Sequence, residues 1–439
     1  MSDTRIVSVH GRRIWDSRGR PTIEVEVQLA DGTVGRGIAP AGASRGAREA
    51  VDKRDGGVRL GGYDVGYALA GVSREIAPAL AGMEARDQNA VDQRLIAVDG
   101  TPTKSRLGAN ALVASSLAVL NAAAASSRQP LWAYISGGSP VTLPLPEIQI
   151  FGGGAHAGRR IDIQDVMVIA VGASSFAEAL AMTAEIYLSA GRLMAESGRR
   201  QGVADEGGYW PAFDSNEEAI ETTIRAIEAA GLVPGKDAAI SLDIAASELG
   251  SGGRYWLGLE RRELNRDDMC ALLLSWCDRY PIVSIEDPMA EDDPEGLRHF
   301  TRAVAGRVQV VGDDYLVTSA ARVKAAASQE LVNAVLVKVN QAGTVTEAKA
   351  ALEAGQNAGF GTIISARSGE TEDVTIAHLA VGWNAGQLKV GAFSRSERMA
   401  KWNEVLRIEE ALGQQAAFAG VKGLLRGRQR PDAETRAQA

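Results

Sequence analysis

The sequence predicts an α/β chain in which a barrel of the TIM type follows a smaller α+β unit, and three features predict it. Strand-like alternation opens the chain, and helical patterns follow it. A proline-rich stretch, Pro140-Val141-Thr142-Leu143-Pro144-Leu145-Pro146, then marks a boundary. Beyond it, short apolar runs recur roughly every 20 to 45 residues with helical patterns between them.

In the first unit, taken as residues 1–137, Thr22 to Leu29 alternates strictly, as a half-buried strand does. Asp31-Gly32 supplies a hairpin turn, and Thr33 to Ile38 returns antiparallel. Helical patterns cover Ile76–Leu80, Gln88–Ile96 and Asn110–Ala125. The second unit is taken as residues 140–422. One of its helices is marked by a capping box at Ser215 and Glu218, an apolar stripe at Ile220, Ile224 and Ile227, and Gly231 at its end. Its strands are Ile240–Leu242, Ile282–Ile285, Val308–Val311, Val335–Val337, Gly361–Ile364 and Gln387–Val390. Their apolar runs lack alternation, which fits parallel strands covered on both faces. No Gly-rich dinucleotide fingerprint follows the first strand, so a barrel is favoured over an open sheet. Residues 427–439 read as a disordered tail.

Composition narrows the function. The chain has 439 residues, 45% hydrophobic and 23% charged, with a formal net charge of -8. Global repulsion and the lack of a basic patch before the tail argue against a nucleic-acid partner. No uninterrupted apolar run is long enough for a bilayer, because Asn110, Ser115, Ser116 and Asn121 break the Ala-rich stretch. Cys270 and Cys277 fall on one helix about 10 Å apart by helical rise, too far to bridge undistorted. A reduced, cytoplasmic setting is expected.

The strands end in charged or polar residues: Asp243, Glu286, Asp313, Lys338, then Arg367 and Ser368, then Lys389. In a barrel such ends converge on one mouth, where active sites lie. Three carboxylates there suit a hard cation such as Mg²⁺. A lysine beside that positive charge is expected to lose proton affinity and to serve as a general base. The combination is the handling of an acidic proton beside a carboxylate, with the metal holding the ene-diolate.

Longer motifs carry a resemblance. Trp15-Asp16-Ser17-Arg18-Gly19, Gly42-Ala43-Ser44, Asp205-Glu206-Gly207-Gly208, Ser284-Ile285-Glu286-Asp287-Pro288, Leu336-Val337-Lys338-Val339-Asn340-Gln341 and Arg367-Ser368-Gly369-Glu370-Thr371-Glu372-Asp373 are similar to enolase signatures. The likeness runs from about Ile6 to Gly420. It implies that Asp243, Glu286 and Asp313 hold a first Mg²⁺, and that Ser44 with substrate phosphate holds a second. It implies Lys338 as the base at C2 and Glu206 as the acid that helps hydroxide leave C3. Asp165 and His156 complete the catalytic set, Lys389 meets the substrate carboxylate, and Arg367 and Ser368 hold phosphate. The resemblance further implies a small phosphorylated acid as substrate and a homodimer or ring of dimers.

The chain departs from the family pattern near the pocket. Gln164-Asp165 replaces Gln-Glu, Ser365-Ala366-Arg367 replaces Ser-His-Arg, and Gly152 replaces an Asn. Arg45 and Arg48 stand in the lid where Thr and His are usual. The expectation is a pocket with added room and added positive charge, suited to a substrate with a further carboxylate or a bulkier phosphorus group. Among enolase relatives this resembles carboxyphosphonoenolpyruvate synthase of phosphinothricin (bialaphos) biosynthesis, which would make the substrate a phosphonate. An ordinary phosphopyruvate hydratase and an enolase recruited for binding remain alternatives.

Overall fold

The computed structural model of the chain describes residues 3–43 and 46–424, so the 427–439 tail lies outside the described residues. Strands β1 (Ile6–Trp15), β2 (Pro21–Leu29) and β3 (Val34–Ile38) form an antiparallel sheet in that order. The Asp31-Gly32 turn is present, with Gly32 at φ 86. β1 went unpredicted because its His10-Gly11-Arg12-Arg13 centre is polar and half exposed. Helices α1 (Gln88–Asp99) and α2 (Ala109–Ser126) follow, and α2 lies against the sheet. Glycine permits that approach: a Cβ at Gly35 would sit 2.2 Å from Ala122 N, and one at Gly37 2.5 Å from Ala118 N. α2 has the length and hydropathy of a membrane span, yet 83% of it is buried inside the molecule. It is a core helix.

The rest is a closed barrel. Its strands are β4 (Leu145–Gly152), β5 (Asp165–Ile169), β6 (Ala239–Asp243), β7 (Ile282–Glu286), β8 (Gln309–Gly312), β9 (Ala334–Val337), β10 (Gly361–Ser365) and β11 (Gln387–Ala392). They are hydrogen-bonded in the cyclic order β7-β8-β9-β10-β11-β4-β5-β6. Around them lie α3 (Phe176–Glu196), α4 (Asn216–Ala229), α5 (Arg266–Arg279), α6 (Pro294–Val304), α7 (Ala320–Ser328), α8 (Val345–Ala358), α9 (Thr375–Gly382) and α10 (Ser396–Leu412). The α4 cap forms as read, with Ser215 accepting from Glu218 N and Gly231 at φ 77. Both cysteines are buried and unpaired on α5.

Two features correct the sequence reading. The proline-rich boundary runs straight into a barrel strand, with Pro146 opposite Leu388 of β11. The barrel is also not wholly parallel, since β5 runs antiparallel to both β4 and β6. The β4–β5 link spans residues 153–164 and holds only a short 3₁₀ turn, Gly154–Ala157. A parallel crossover needs a helix-sized connection, so the chain reverses instead. The reversal has a chemical consequence: the first residue of β5, Asp165, arrives at the mouth where the other strands end.

Candidate active site

Asp243 and Glu286 close β6 and β7 side by side in register. Asp313 and Lys338 each lie one residue past β8 and β9. Lys389 sits inside β11, just before a register shift in its pairing with β4, and Gly391 at φ 123 accommodates the irregularity. Glu206 rides a tight turn closed by Ala204 N to Gly208 O (2.7 Å), which docks on β11 through Ala392 N to Glu206 O (2.9 Å). His156 comes from the 3₁₀ turn after β4. Asp243, Lys338, Lys389, Glu206 and His156, with Gln164, Asp165, Ser365, Ala366, Arg367 and Ser368, line a cleft of about 320 Å³ of empty space.

Two ammonium groups organise the carboxylates. Lys389 Nζ lies 2.8 Å from Glu286 Oε2, 3.1 Å from Asp243 Oδ2 and 3.3 Å from Asp165 Oδ2. Lys338 Nζ lies 2.5 Å from Asp313 Oδ2, while Gln341 Nε2 donates to Asp313 Oδ1 at 2.8 Å. The sequence reading had Lys338 losing proton affinity. Burial is the largest single influence and pushes it down, but the Asp313 and Glu286 carboxylates together hold the ammonium above its ordinary value. Burial and the neighbouring Asp243 push Glu286 well above the usual carboxylate range.

A second line of contacts crosses the cleft. His156 Nδ1 is 3.0 Å from Asp165 Oδ1, and its Nε2 is 3.0 Å from Ser368 Oγ and 3.6 Å from Glu206 Oε1. The histidine is buried, contrary to the solvated loop position common for such a residue. Burial opposes its charge, but Glu206 and Asp165 raise its pKa to about 9. As an imidazolium it donates from both nitrogens. Asp165, despite burial, is held low by His156 and Lys389.

Arg367 is gripped from the first unit: its Nη1 lies 2.9 Å from Glu49 Oε2 and 3.2 Å from Asn340 Oδ1. Arg398 at the start of α10 is fully buried and donates to the carbonyls of Arg367 (2.6 Å), Val390 (2.9 Å) and Ser368. Sequence reading gave Gln341 no role although it closes the motif Leu336–Gln341, and it missed Glu49, Arg398 and Gln149. Of the last three, only Gln149 left a signal, as a polar residue alternating with Glu147 along β4.

Other predicted positions fall elsewhere. Ser44 and Arg45 lie outside the described residues. Arg48 does not line the cleft; its side chain is 58% exposed and its nearest acid is Glu291 at 3.9 Å. Gly152 is also absent from the lining, whereas Ala366 and Asp165 are part of it.

The carboxylates fit a hard cation. Glu286 Oε1 is buried with no hydrogen-bond partner among the described residues, and an orphaned carboxylate oxygen beside Asp243 is a ready oxygen ligand. Ligand atoms lie within 4.8 Å of one another in two sets, Asp287–Asp313–Asp314 and His156–Asp165–Glu206. Asp243 and Glu286 are drawn to Lys389, and Asp313 to Lys338. Asp287 accepts from the backbone N–H groups of Asp313 (3.0 Å) and Asp314 (2.8 Å), which fixes the loop that presents Asp313.

Comparison with known proteins agrees with this site. Residues 6–135 match the family model described as enolase, N-terminal domain, and residues 140–426 that of the enolase C-terminal TIM barrel domain. The chain is 48% identical to enolase 1 of Desulfitobacterium hafniense (strain Y51), covering 95% of this chain and 96% of the relative. It is likewise 48% identical to an enolase of Acidothermus cellulolyticus over the same shares. A family match across both units, around a cleft that gathers the expected side chains, leads to one conclusion: the chain belongs to the enolase family, and so to a superfamily of Mg²⁺-dependent lyases.

Proposed function

We propose that the protein removes the proton beside the carboxylate of a small phosphorylated acid of the 2-phosphoglycerate or phosphoenolpyruvate type. The observation that carries this reading is one cleft lined by Lys338, Lys389, Asp243, Asp165, Glu206 and Arg367, with Glu286 and Asp313 ion-paired to its two lysines. Asp243, Glu286 and Asp313 would hold Mg²⁺, and Ser44 is the expected contributor to a second ion. Bound there, Mg²⁺ would supply stabilisation for the negative charge that develops on the substrate carboxylate. Lys338 then takes the C2 proton, and Lys389 orients the substrate carboxylate. Arg367 and Ser368 hold the phosphate. Glu206, steadied by imidazolium His156, delivers a proton to the departing C3 hydroxyl, while Asp165 keeps His156 and Lys389 in place.

The names of the relatives favour ordinary dehydration of 2-phosphoglycerate. A phosphonate substrate, as in carboxyphosphonoenolpyruvate formation, is the second reading, and Ala366, a small side chain in the cleft lining, favours it. Arg48, directed at Glu291, lends that reading no support. Incubating the purified protein with 2-phosphoglycerate and Mg²⁺ and following phosphoenolpyruvate absorbance separates the two. Robust turnover establishes the hydratase and removes the specialised reading. Turnover that arises only after Ala366→His supports the specialised one. Mg²⁺-independent binding without chemistry of either kind would leave only a recruited scaffold. A homodimer or ring of dimers is the expected assembly, read by sedimentation.

A further inference from the structure

Gln149 lies on β4, fully buried, between two residues assigned to the chemistry above. Its Nε2 donates to Asp165 Oδ1, and its Oε1 accepts from Gly208 N at 2.8 Å. Gly208 closes the turn that carries Glu206. A single amide therefore ties the start of β5 to the Glu206 turn, with its donor end on the carboxylate and its acceptor end on the N–H.

The surroundings are shaped around that amide. A Cβ at Gly208 would lie 2.5 Å from Gln149 Oε1. One at Gly152 would lie 3.2 Å from the same oxygen and 2.7 Å from Ala204 Cβ. Gly152 thus opens no space in the cleft; the volume beside it is filled by Gln149 and Ala204. The room left by the short side chain at 165 is likewise occupied on one side, because Gln149 already reaches Asp165 in close contact. A further methylene at 165 would be driven into Gln149, into His156 or into Lys389.

We infer that Gln149 is a positioning residue that sets Asp165 and the Glu206 turn together, with its length matched to the short carboxylate at 165 and its space provided by Gly152 and Gly208. The functional half of this inference rests on the proposed roles of Asp165 and Glu206; the structural half does not. It explains two departures from the family pattern, at 152 and 165, as parts of one packing unit. It also means that restoring glutamate at 165 requires a shorter partner at 149.

The test uses the full-length protein. Gln149→Met keeps the volume and removes both hydrogen bonds. The Gly208 amide should then exchange with solvent about tenfold faster or more. Turnover of 2-phosphoglycerate with Mg²⁺ should fall in kcat by about a hundredfold, with KM moving less than about threefold, as misplacement near 1 Å does. Exchange and kcat both within about twofold of the parent would overturn the proposal. A second arm compares Asp165→Glu alone with Asp165→Glu/Gln149→Asn. The single change should lower the melting temperature, and the added asparagine should recover at least about half of the loss, as coupled neighbours do. A double variant no more stable than the sum of its parts would overturn the matching of lengths. Should the parent protein fail to dehydrate 2-phosphoglycerate, the hydratase reading falls, while the exchange and melting arms still decide this one.

Discussion

Lys389 stands among Asp165, Asp243 and Glu286, a concentration of buried acid that the fold tolerates because one ammonium serves all three. Removing one partner of a buried ion pair typically costs about 3–5 kcal/mol. Lys389→Met should therefore lower the melting temperature sharply in Mg²⁺-free buffer. Added Mg²⁺ should restore part of the loss, since a cation on Asp243 and Glu286 replaces the missing charge; calorimetry with and without Mg²⁺ measures both effects. His156 gives a pH prediction at the same scale. Its folded pKa, about 9, lies above the ordinary value of 6.5. Its charged contacts therefore contribute stability in full below pH 6.5, and that contribution is lost as pH rises through about 9. The gap in melting temperature between the parent and His156→Gln should accordingly narrow across that window. A gap independent of pH would show that His156 is not the imidazolium described.

Among the elements, α10 acts on the site from behind. Arg398 spreads its guanidinium over the carbonyls of Arg367, Ser368 and Val390, and Lys401 Nζ donates to Thr371 O at 2.7 Å. Arg398→Lys keeps the charge but loses the planar fork. It should raise KM for a phosphorylated substrate about tenfold or more while the barrel stays folded, because unsatisfied buried carbonyls cost about 1–3 kcal/mol each. Steady-state kinetics with circular dichroism checks both halves. The element scale also shows what the sequence made legible. Six barrel strands were readable because Ile, Val and Leu fill them and polar residues end them. β4 escaped because Pro146 read as a breaker and because Glu147 and Gln149 face a polar interior. β5 escaped because it is antiparallel, which no residue in its own run announces. Asp243, Glu286, Asp313, Lys338 and Arg367 were legible at or just past strand ends, and Lys389 as a charged residue within one. Arg398 and Glu49 were not, since each reaches the site through tertiary packing alone.

Across the molecule, the first unit is part of the active site. Glu49 grips Arg367 and also accepts from Gln341 Nε2 at 3.1 Å, while Ala41 and Gly369 exchange backbone hydrogen bonds at 2.8 and 2.9 Å. The loop that carries Arg367 and Ser368, proposed to hold phosphate, is thus set from both units. Glu49→Leu, a change outside the cleft lining, should abolish turnover and lower stability by about 3–5 kcal/mol, as loss of one buried ion-pair partner does. Denaturant unfolding and the activity assay together check this.

Lys338 is proposed to take a proton beside a carboxylate only when Asp243, Glu286 and Asp313 hold a metal. The most direct measurement of this is the exchange of the C2 proton of 2-phosphoglycerate with deuterated solvent, followed by NMR, which reports proton removal whether or not hydroxide leaves. Exchange is expected with Mg²⁺, and none after chelation or in Lys338→Met. Exchange that persists without Mg²⁺, or in that variant, would contradict the proposal.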